Sequence, residues 1–524
     1  MVTNLMREIS TSISSYEAIV SGNYLYVDKT AAIYDLLVSR PGHYFLARPR
    51  RFGKSLLVST LEMIFKGRRE LFAEMEILRK DYAWQSYPVL RFDFGNIGLL
   101  SREQLREALV EKVNLQALRL GVSEGLSAKE PALRLEQLLL LAGMKAQSKV
   151  VLLIDEYDKP ILEALDKSEL PAVVEEMRNF YATIKTMGDQ IHFSFMTGVS
   201  KFSKVSIFSG INNLQDLTMD ARAADLLGYT KDELVGNFGE RIEALGEKNG
   251  WTCEKTMAEL ARFYDGYRFH PDSKGVYNPV SIGNCLSAFE FRNYWFSTGT
   301  PTFLFTLLKR TAVDFEHIET GVDAFESFEP GSPDPISILF QTGYLSIKSE
   351  RRHESGFSTY QLGFPNWEVE NSLANAIVWN FAGVENGDDK SDIYKGLKEA
   401  LKNGDVNGLI DVLKVLFSNV PYNIAIQRER YYQTIFYLAM LMMGYRAVTA
   451  DCTNIGRIDM TVETHERIYI LEFKLDGDAK AALGQIKTKN YAEKYKLAKK
   501  KIIQLGISFG KESRNVEDFA VEEL

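Results

Sequence analysis

The chain has 524 residues, of which 45% are apolar and 25% are charged, and these proportions exclude wholesale disorder and a fibrous architecture. At roughly 150 residues per domain, a chain of this length is expected to contain three or four domains. Its 62 basic and 70 acidic residues give a formal net charge of −8, which argues against a chromatin-like protein coated in positive charge, so any nucleic-acid site must be local.

From Tyr24 to about Ala221, short apolar runs alternate with amphipathic stretches, which is the order typical of a parallel sheet with crossover helices. Strands are predicted at residues 43–47, 88–94, 150–155 and 191–197, and helices at 54–65, 101–120, 131–142 and 161–187. Residues 1–220 are therefore predicted to form an α/β domain, with a parallel sheet that carries helices on both faces.

A strand, a loop and a helix surround the tripeptide Gly53, Lys54 and Ser55. In a Walker A loop, backbone amides at the helix N-terminus hold the phosphates, the lysine reaches the terminal phosphates and the hydroxyl binds magnesium. Arg48 stands where the full motif has its first glycine. Positive charge beside the proposed phosphates comes from Arg48, Arg50 and Arg51. On these residues alone, a nucleotide-binding loop and a basic turn before a helix are equally open.

A second motif, which is acidic, follows about a hundred residues later, where the apolar run VVLLI ends in Asp155 and Glu156. A carboxylate at the tip of a buried strand beside a phosphate loop holds hydrated magnesium, and a second carboxylate polarises the attacking water. The alternative is a strand that ends in a solvated acidic turn, but the order and separation of the two motifs favour nucleotide binding. Thr197, at the end of the next strand, is placed to sense the terminal phosphate, although a threonine that closes a strand needs no function.

Four segments of this region resemble the AAA-ATPase-like family: YVDKT (26–30), RPRRFGKS (48–55), DEYDKP (155–160) and TGVSKFSKVSIFSGINNL (197–214). The resemblance covers roughly the first 220 to 300 residues, and it makes Arg48 a feature of the family. It implies ATP binding on a RecA/AAA-type P-loop core, and it leaves open whether ATP is hydrolysed.

The middle of the chain carries aromatic motifs without an evident role. Residues 221–300 are predicted to be a mostly helical lid or winged subdomain, punctuated by YDGYRF (264–269), VYNP (276–279) and YWFSTGTP (294–301). Residues 301–415 are predicted to form a connector domain, with a strand at FQTGYLSI (340–347) and a turn into a helix at GFPNWEVENS (363–372). Loops are expected at residues 329–335 and 385–392.

The last hundred residues have a different order of elements. A helix is predicted at about 425–443, strands at 446–450, 457–463 and 468–474, a helix at about 479–499 and a strand at 501–508. Residues 416–524 are therefore predicted to form a separate domain of order αβββαβ.

Two carboxylates and a lysine are predicted to meet on one hairpin of this domain. Period-two alternation puts Glu472 and Lys474 on the same face of their strand, and strand pairing brings Asp459 alongside them. Phosphodiester cleavage uses such a set, because carboxylates hold divalent ions that activate water and a lysine stabilises the phosphorane. Gln485 and Glu429, on the flanking helices, are placed to orient or supply a further ligand. The alternative is an edge hairpin whose charged residues face water.

Residues 480–501 contain eight lysines and one glutamate, a local net charge of +7 in an acidic chain. Such a basic helix beside a metal site suits a nucleic-acid backbone, with DNA as the preferred partner, although a solvated helix face explains the lysines about as well. Tyr491 and Tyr495 offer stacking surfaces for bases, but at helical spacing such residues are more often core contacts.

Three segments resemble the PD-(D/E)XK nuclease superfamily, and specifically the domain often fused behind AAA-ATPase-like domains: GRID (456–459), EFK (472–474) and ALGQIKTKNY (482–491). The resemblance covers about residues 416–524 and implies a restriction-endonuclease-like domain. In RecB-like members a glutamine and a tyrosine lie one turn apart on the last helix, whereas Gln485 and Tyr491 are six residues apart in this chain. Ile458 stands in place of the proline of the "PD" element, which varies widely within the superfamily.

The few cysteines and histidines narrow the chemistry further. Cys253, Cys285 and Cys452 lie far apart without a CxxC pair, so neither a disulfide framework nor a thiolate zinc site is expected, and a cytoplasmic location is predicted. Six scattered histidines leave carboxylates as the expected ligands of a hard cation such as magnesium. The strongest apolar run, residues 435–443, is too short to cross a bilayer, so no membrane contact is expected.

The sequence favours an ATP-regulated or ATP-driven nuclease that acts on DNA, with ATP and Mg²⁺ or Mn²⁺ as cofactors. Two alternatives stay open. One is a nucleotide-dependent switch whose nuclease-like domain binds nucleic acid or a partner protein without cutting, and the other is a nuclease whose ATP site serves structure. A homo-oligomer is compatible with the resemblance, because AAA-type sites often borrow an arginine from a neighbouring subunit.

Overall fold

The computed structural model describes residues 7–39, 42–98, 101–165, 167–202, 214–295, 304–305, 307–308, 313–322, 325, 329–331, 334–382, 387–418, 429–453 and 456–524. The chain divides into two compact units, of which the first comprises residues 1–297 and 319–366 and the second comprises residues 298–318 and 367–524. The finer division into four domains stays a prediction. Within the described ranges, no helix combines the length and the apolar character needed to cross a membrane.

The first unit contains the parallel sheet that the sequence predicts. Its strands are β1 (His43–Ala47), β2 (Val89–Asp93), β3 (Val150–Asp155), β4 (Ile191–Gly198) and β5 (Leu214–Asp216). They lie in the order β2-β3-β4-β1-β5, and each neighbouring pair is parallel. Every residue of β1 and β3 is buried, which explains why both strands read as continuous apolar runs. The carboxyl ends of β1, β3 and β4 meet at one edge of the sheet.

Most predicted helices of the first unit are confirmed. The helices are α1 (Tyr16–Ser21), α2 (Thr30–Ser39), α3 (Lys54–Phe65), α4 (Arg102–Leu120), α5 (Pro131–Ala146), α6 (Lys159–Leu162), α7 (Leu170–Thr186), α8 (Lys231–Asn249), α9 (Cys253–Tyr264), α10 (Pro279–Ala288) and α11 (Pro335–Gln341). The prediction of one helix at 161–187 is wrong, because α6 ends at Leu162 and a new helix begins at Leu170 with a proline in its first turn. Helices α8 to α10 confirm the mostly helical middle region.

A small sheet belongs to the first unit except for Ile318, and its strands β6 (Ile318–Thr320), β7 (Ser346–Arg352) and β8 (Ser358–Gly363) lie in the order β6-β8-β7. The strand predicted at 340–347 is wrong in its first half, because α11 continues to Gln341 and Gly343 turns the chain with φ +88°. Of the loop predicted at 329–335, residues 332–333 lie outside the described residues.

The second unit carries the remaining elements. They are α12 (Trp367–Ala382), α13 (Gly387–Asn403), α14 (Val406–Ser418), α15 (Glu429–Met442), β9 (Arg446–Cys452), β10 (Arg457–Glu463), β11 (Arg467–Leu475), α16 (Ala479–Thr488), β12 (Lys501–Phe509) and β13 (Val516–Glu523). The turn into a helix predicted before Trp367 is confirmed. The loop predicted at 385–392 is wrong from Gly387 onward, because two aspartates in the first turn favour a helix start there.

The sheet of the second unit has the order β13-β12-β11-β10-β9, with β11 and β12 parallel and the other neighbours antiparallel. From Glu429 onward the predicted order αβββαβ is confirmed, while residues 425–428 of the predicted helix lie outside the described residues. An additional strand, β13, closes one edge. Helix α16 packs so closely on β12 that a methyl group on Gly506 would lie 2.3 Å from the carbonyl oxygen of Ala479, and Gly506 pairs in register with Glu472 of β11.

The helix predicted at 479–499 is shorter than expected. It ends at Thr488, Asn490 adopts a left-handed conformation with φ 46°, and residues Tyr491–Ala498 continue as a 3₁₀ segment. Asparagine tolerates this conformation better than most residues, which makes it a natural stop for the helix. The break redirects the chain within three residues of Thr488.

Candidate functional site

The phosphate loop lies between β1 and α3 and uses two left-handed residues. Gly53 caps the helix with φ 89°, and Arg51 has φ 70°, a conformation that is uncommon for a residue with a side chain. Lys54, the first residue of α3, is only 6% exposed, and its Nζ donates to the carbonyl oxygens of Arg48 and Pro49, at 2.9 Å each. The lysine is therefore held against the loop by neutral acceptors at the positive end of a helix.

Carboxylates surround this lysine. Burial lowers the pKa of Lys54, whereas the negative charges of Asp155, Glu156 and Asp158 act to raise it and Arg50 lowers it further. Arg50 is half-buried and Arg51 is exposed. Three acidic groups facing one buried ammonium leave the site with an excess of negative charge, which a bound cation would balance.

Asp155 is the residue best suited to a magnesium ion. It ends β3, it is 1% exposed, and its Oδ1 accepts the amide of Glu156 at 3.0 Å, while its Oδ2 has no hydrogen-bond partner among the described residues. Burial raises its pKa, and the nearby Ser55 hydroxyl and Lys54 oppose this. Since Mg²⁺ prefers oxygen ligands, a buried carboxylate oxygen without a partner next to a hydroxyl fits it well.

Glu156 turns toward β2. Its φ is 50°, and a methyl group on Gly95 would lie 2.7 Å from its Oε2 and 3.1 Å from Oδ1 of Asp93. Asp93 ends β2 and pairs in register with Asp155. Asp93 is thus a further carboxylate at the same sheet edge. The sequence carries a signal for it, because Asp93 and Asp155 end adjacent parallel strands.

Two predicted phosphate contacts are not brought to the loop. The guanidinium of Arg48 is 1% exposed and donates to the carbonyls of Ala47, Thr218 and Ala223, at 2.8 Å each, and burial lowers its pKa to about 9. The hydroxyl of Thr197 is fully buried and donates to the carbonyl of Leu46 at 2.8 Å. Both side chains bond to backbone of the first unit, so Arg48 anchors the loop and Thr197 joins β4 to β1.

Asp158 is a buried residue to which the sequence did not assign a role. Its Oδ2 accepts the amides of Val199 at 3.0 Å and Ser200 at 2.6 Å, and burial raises its pKa to about 6 although the amide of Ser200 opposes the shift. The neighbouring Tyr157 hydroxyl donates to the carbonyl of Ser200 at 2.9 Å and accepts the amide of Phe202 at 3.2 Å. The turn after β3 therefore holds the end of β4. The second aspartate of DEYDKP was the available signal.

In the second unit, β10 and β11 bring the three predicted catalytic residues together. Met460 pairs with Leu471, which sets Asp459 beside Glu472, and the amide of Phe473 donates to Oδ2 of Asp459 at 2.9 Å. Lys474 Nζ lies 3.5 Å from Oε1 of Glu472. The alternation rule that placed Glu472 and Lys474 on one face is confirmed by this contact.

Glu472 is the carboxylate of this site whose burial is least compensated by hydrogen bonds. It is 2% exposed, its Oε1 accepts the side-chain amide of Gln485, and its Oε2 has no hydrogen-bond partner among the described residues. Burial and the charge of Asp459 raise the pKa of Glu472 to about 7, and Lys474 opposes the shift. Burial likewise raises the pKa of Asp459. A half-buried carboxylate beside a buried one with an unsatisfied oxygen fits a divalent cation.

Glu429, the first residue of α15, lies near this pair without completing a metal site. Burial and the charge of Asp459 raise its pKa, and Lys474 opposes them. Among the described residues, however, no three His, Cys, Asp or Glu side chains are close enough together to hold a metal ion. Asp459 and Glu472 are therefore the protein ligands that the geometry offers, with water or phosphate oxygens completing the shell.

The early end of α16 brings Tyr491 to the site despite its six-residue spacing from Gln485. Tyr491 is 2% exposed, its hydroxyl donates to the carbonyl of Arg457 at 2.9 Å, and Gln485 also bonds to it. The Tyr495 hydroxyl bonds to the carboxylate of Asp451. Tyr491 is consequently a core residue of the site, which confirms the core-contact alternative over a stacking surface at this position.

The predicted basic helix is largely neutralised. Five of its lysines form ion pairs, which are Lys487 with Glu522, Lys494 with Asp451, Lys496 with Glu493, Lys500 with Glu463 and Lys501 with Glu523. Four of these five acids lie on neighbouring strands, outside the segment that was counted. The local charge of +7 therefore overstates the field, and Lys480, Lys489 and Lys499 are the exposed lysines of the segment for which the described residues provide no ion pair.

Comparison with known proteins matches both sites. A family model described as "Predicted AAA-ATPase" matches residues 10–208, and a model of the PD-(D/E)XK nuclease superfamily matches residues 427–519. A protein of Azotobacter chroococcum mcd 1, named "Uncharacterized protein in vnfD 5'region", is 34% identical over 534 residues, which cover 99% of each chain. The two matched ranges contain the phosphate loop with Asp155 and the Asp459–Glu472 pair, and they indicate ATPase and nuclease activities.

Proposed function

This chain belongs to the AAA-ATPase-like family and ends in a PD-(D/E)XK nuclease superfamily domain, and from that premise we propose that it is a nucleotide-controlled nuclease that cleaves DNA. One observation carries the proposal. Asp155 and Glu472 each keep a buried carboxylate oxygen without a hydrogen-bond partner among the described residues, and each lies beside a lysine. An unsatisfied buried carboxylate is costly, and a divalent cation with a phosphate ligand relieves that cost.

In the ATPase site, backbone amides at the start of α3 would bind the phosphates of ATP. Lys54 would exchange the carbonyls of Arg48 and Pro49 for phosphate oxygens, and Ser55 with Asp155 would hold Mg²⁺. Glu156 would orient a water molecule and accept its proton, with Asp93 beside it. The cation supplies neutralisation of the charge that develops on the transferred phosphoryl group.

In the nuclease site, Asp459 and Glu472 would hold Mg²⁺ or Mn²⁺, which supplies an activated water and neutralises the phosphorane. Gln485 fixes one oxygen of Glu472, so that the other oxygen faces the site. Lys474 would donate to the non-bridging oxygens of the scissile phosphate, and Glu429 would orient the water. Removing one such electrostatic group typically lowers a rate by about 100-fold to 1000-fold.

We take DNA as the preferred substrate, and exposed lysines that could bind its phosphates follow the carboxylate pair in sequence. Lys480, Lys489 and Lys499 remain exposed while their neighbours are paired, and such lysines bind phosphates by charge. The contribution is modest, since few free lysines remain. RNA cleavage is an outcome that the same assay distinguishes.

The nuclease proposal is tested with linear DNA, plasmid DNA and single-stranded RNA in Mg²⁺ or Mn²⁺. Wild type should cleave DNA, whereas Asp459→Ala should lose about 100-fold or more of the rate. Glu466→Gln, an exposed acid between β10 and β11, is the matched control and should cleave as wild type does. Cleavage that survives Asp459→Ala would refute the site. Salt-sensitive DNA binding without metal-dependent cleavage would instead indicate a nucleotide-dependent binding protein.

The ATP proposal is tested by calorimetry with Mg-ATP and by phosphate release. Lys54→Ala should weaken ATP binding by about 100-fold, because a charged hydrogen bond to phosphate is lost in a desolvated pocket. Lys66→Ala, just beyond the other end of α3, is the matched control. Control of the nuclease predicts that ATP changes the DNA cleavage rate of wild type and leaves that of Lys54→Ala unchanged. If ATP changes DNA cleavage equally in wild type and in Lys54→Ala, the nucleotide site does not control the nuclease.

A further inference from the structure

The aromatic motifs of the middle region converge on the phosphate loop within the first unit. Phe52 of the loop meets the ring of Tyr267 at 4.8 Å and that of Phe269 at 5.4 Å between ring centres, both edge to face. The indole Nε1 of Trp295 donates to the carbonyl oxygen of Arg50 at 3.2 Å, across 245 residues of sequence. The loop is therefore supported by residues of YDGYRF and YWFSTGTP, for which the sequence had no role.

The motif FQTGYLSI reaches the same place. The ring of Tyr344 packs edge to face on Trp295 at 5.0 Å, and a methyl group on Gly343 would lie 2.6 Å from Cβ of Pro49. None of the four aromatic rings that support the loop is more than 8% exposed. We call this group, which consists of Tyr267, Phe269, Trp295 and Tyr344, the aromatic brace.

The phosphate loop needs such support because its own sequence does not hold its shape. Arg48 occupies the position of a glycine, and its guanidinium lies 4.1 Å from the ring centre of Phe269. Arg51 is left-handed without being glycine or asparagine. Backbone conformations of this kind persist only where the surrounding structure fixes them. The brace provides that constraint on the side of the loop where Trp295 lies.

We propose that Trp295 is a positioning residue of the nucleotide site, acting through the peptide bond between Arg50 and Arg51. The carbonyl and the amide of a trans peptide point in opposite directions. Because the indole fixes the Arg50 carbonyl, it also fixes the Arg51 amide, which points to the opposite side. There the Arg51 amide serves as a hydrogen-bond donor to phosphate. The inference rests on the proposed binding of ATP and assigns the middle region a part in it.

The test compares wild type with Trp295→Phe, which keeps a ring but loses the donor, and with Trp251→Phe, a tryptophan of the same unit that packs on Phe291. The dissociation constant of Mg-AMPPNP, measured by calorimetry, should rise about 5-fold to 10-fold in Trp295→Phe, the size of one hydrogen bond. Where ATP is turned over, KM should rise by the same factor with kcat unchanged, because the loop holds phosphates equally in the ground and transition states.

The split between KM and kcat is the readout that a merely structural role would not move, and tryptophan emission adds a report on whether the nucleotide changes the surroundings of Trp295. Mg-AMPPNP should change the emission of wild type and of Trp251→Phe, and this change should disappear in Trp295→Phe. Tyr344→Leu, which leaves the indole donor in place, should retain the change with a reduced amplitude, and it serves if Trp295→Phe does not fold. Unchanged affinity of a folded Trp295→Phe variant for Mg-AMPPNP would overturn this inference alone. Failure of wild type to bind nucleotide would overturn the proposed function and this inference together.

Discussion

The two carboxylate sites use similar side chains but hold their lysines differently. Lys54 is buried and bonded to two neutral carbonyls, whereas Lys474 is 33% exposed in its side chain and lies 3.5 Å from a carboxylate. A lysine on neutral carbonyls can exchange them for phosphate oxygens without leaving an anion unpaired. The first site is therefore prepared for a ligand that brings its own charge, and the second for a cation that binds to the protein first.

The supports of the two sites also differ in their range along the chain. The phosphate loop takes support from Phe269, Trp295 and Tyr344, far beyond the loop in sequence. The nuclease site is built from residues between Glu429 and Tyr491. A change in the middle region should therefore affect the first site and leave the second intact, and the following predictions probe this contrast.

The largest effect is expected for Glu472→Gln. Cleavage should fall about 100-fold to 1000-fold, because a metal ligand becomes neutral. The thermal midpoint should rise at the same time, since the variant removes a buried charge with one unpaired oxygen beside Asp459. Initial rates in Mg²⁺ and calorimetric unfolding measure both.

The matching change in the first site is Asp155→Asn, which should abolish phosphate release and stabilise the chain in the same way. If Glu472→Gln raises the thermal midpoint and Asp155→Asn lowers it, the two carboxylates do not play similar parts in stability. A loss of stability in both variants would contradict the reading of the two oxygens as unsatisfied.

For Asp158→Asn, the free energy of unfolding relative to wild type is expected to change by an amount on the order of 2 kcal/mol between pH 4 and pH 7. Burial raises the pKa of Asp158 to about 6, so between about pH 4 and pH 6 the folded chain binds a proton that the unfolded chain does not. This residue therefore stabilises wild type at pH 4 relative to pH 7, and the contribution is lost as the pH rises through 6. The unfolding free energy of Asp158→Asn minus that of wild type should increase from pH 4 to pH 7.

Denaturant titrations at several pH values measure this difference, and Asp189→Asn, at an exposed position of the same unit, is the control. A difference that stays flat for Asp158→Asn would contradict the buried charge. A rising difference would show that the first site, like the second, carries more buried negative charge than its lysine balances.

A smaller effect, of about 1 kcal/mol on the activation free energy of cleavage, is expected for Tyr491→Phe. The lost hydroxyl joins Gln485 to the carbonyl of Arg457, so Glu472 should be held less firmly and cleavage should slow about 5-fold. Tyr495→Phe is the matched control, because its hydroxyl bonds to Asp451 instead. Equal rates for Tyr491→Phe and Tyr495→Phe would remove Tyr491 from the site.

The smallest effect is expected for single lysines of residues 480–501. Lys489→Gln should weaken DNA binding about 2-fold to 3-fold and make the salt dependence slightly less steep. Lys500→Gln should change it less, because Lys500 already pairs with Glu463 at 2.8 Å. Fluorescence anisotropy at several salt concentrations measures both. Equal losses would show that the ion pairs open on binding.

Local patterns predicted most of the fold. Apolar runs located β1 and β3 to the residue, and period-two alternation located Glu472 and Lys474 on one face. Strand β13 escaped because neither of its faces is apolar: one carries Val516, Asp518, Ala520 and Glu522, and the other Glu517, Phe519, Val521 and Glu523. Such an edge strand is specified by its partner β12 rather than by its own pattern.

Contacts between residues that are distant in the chain could not be predicted from the sequence. The charge pattern around Arg48 suggested a phosphate contact, but three carbonyls and the ring of Phe269 take its guanidinium. The lysine count from 480 to 501 could not include the acids that strand pairing brings from β9, β10 and β13. In both cases the decisive partner lies far away in sequence, and only the fold places it.

The position of β11 has a consequence for hydrogen exchange. This strand is bonded on both sides, to β10 and along nine residue pairs to β12, and it carries Glu472 and Lys474. Amide protons of such an interior strand exchange only when the whole cooperative element opens. Glu472 and Lys474 are therefore expected to keep their positions through local fluctuations that leave β11 closed. A signal that regulates cleavage is therefore expected to act on the substrate or metal that reaches β11 rather than on the conformation of the strand.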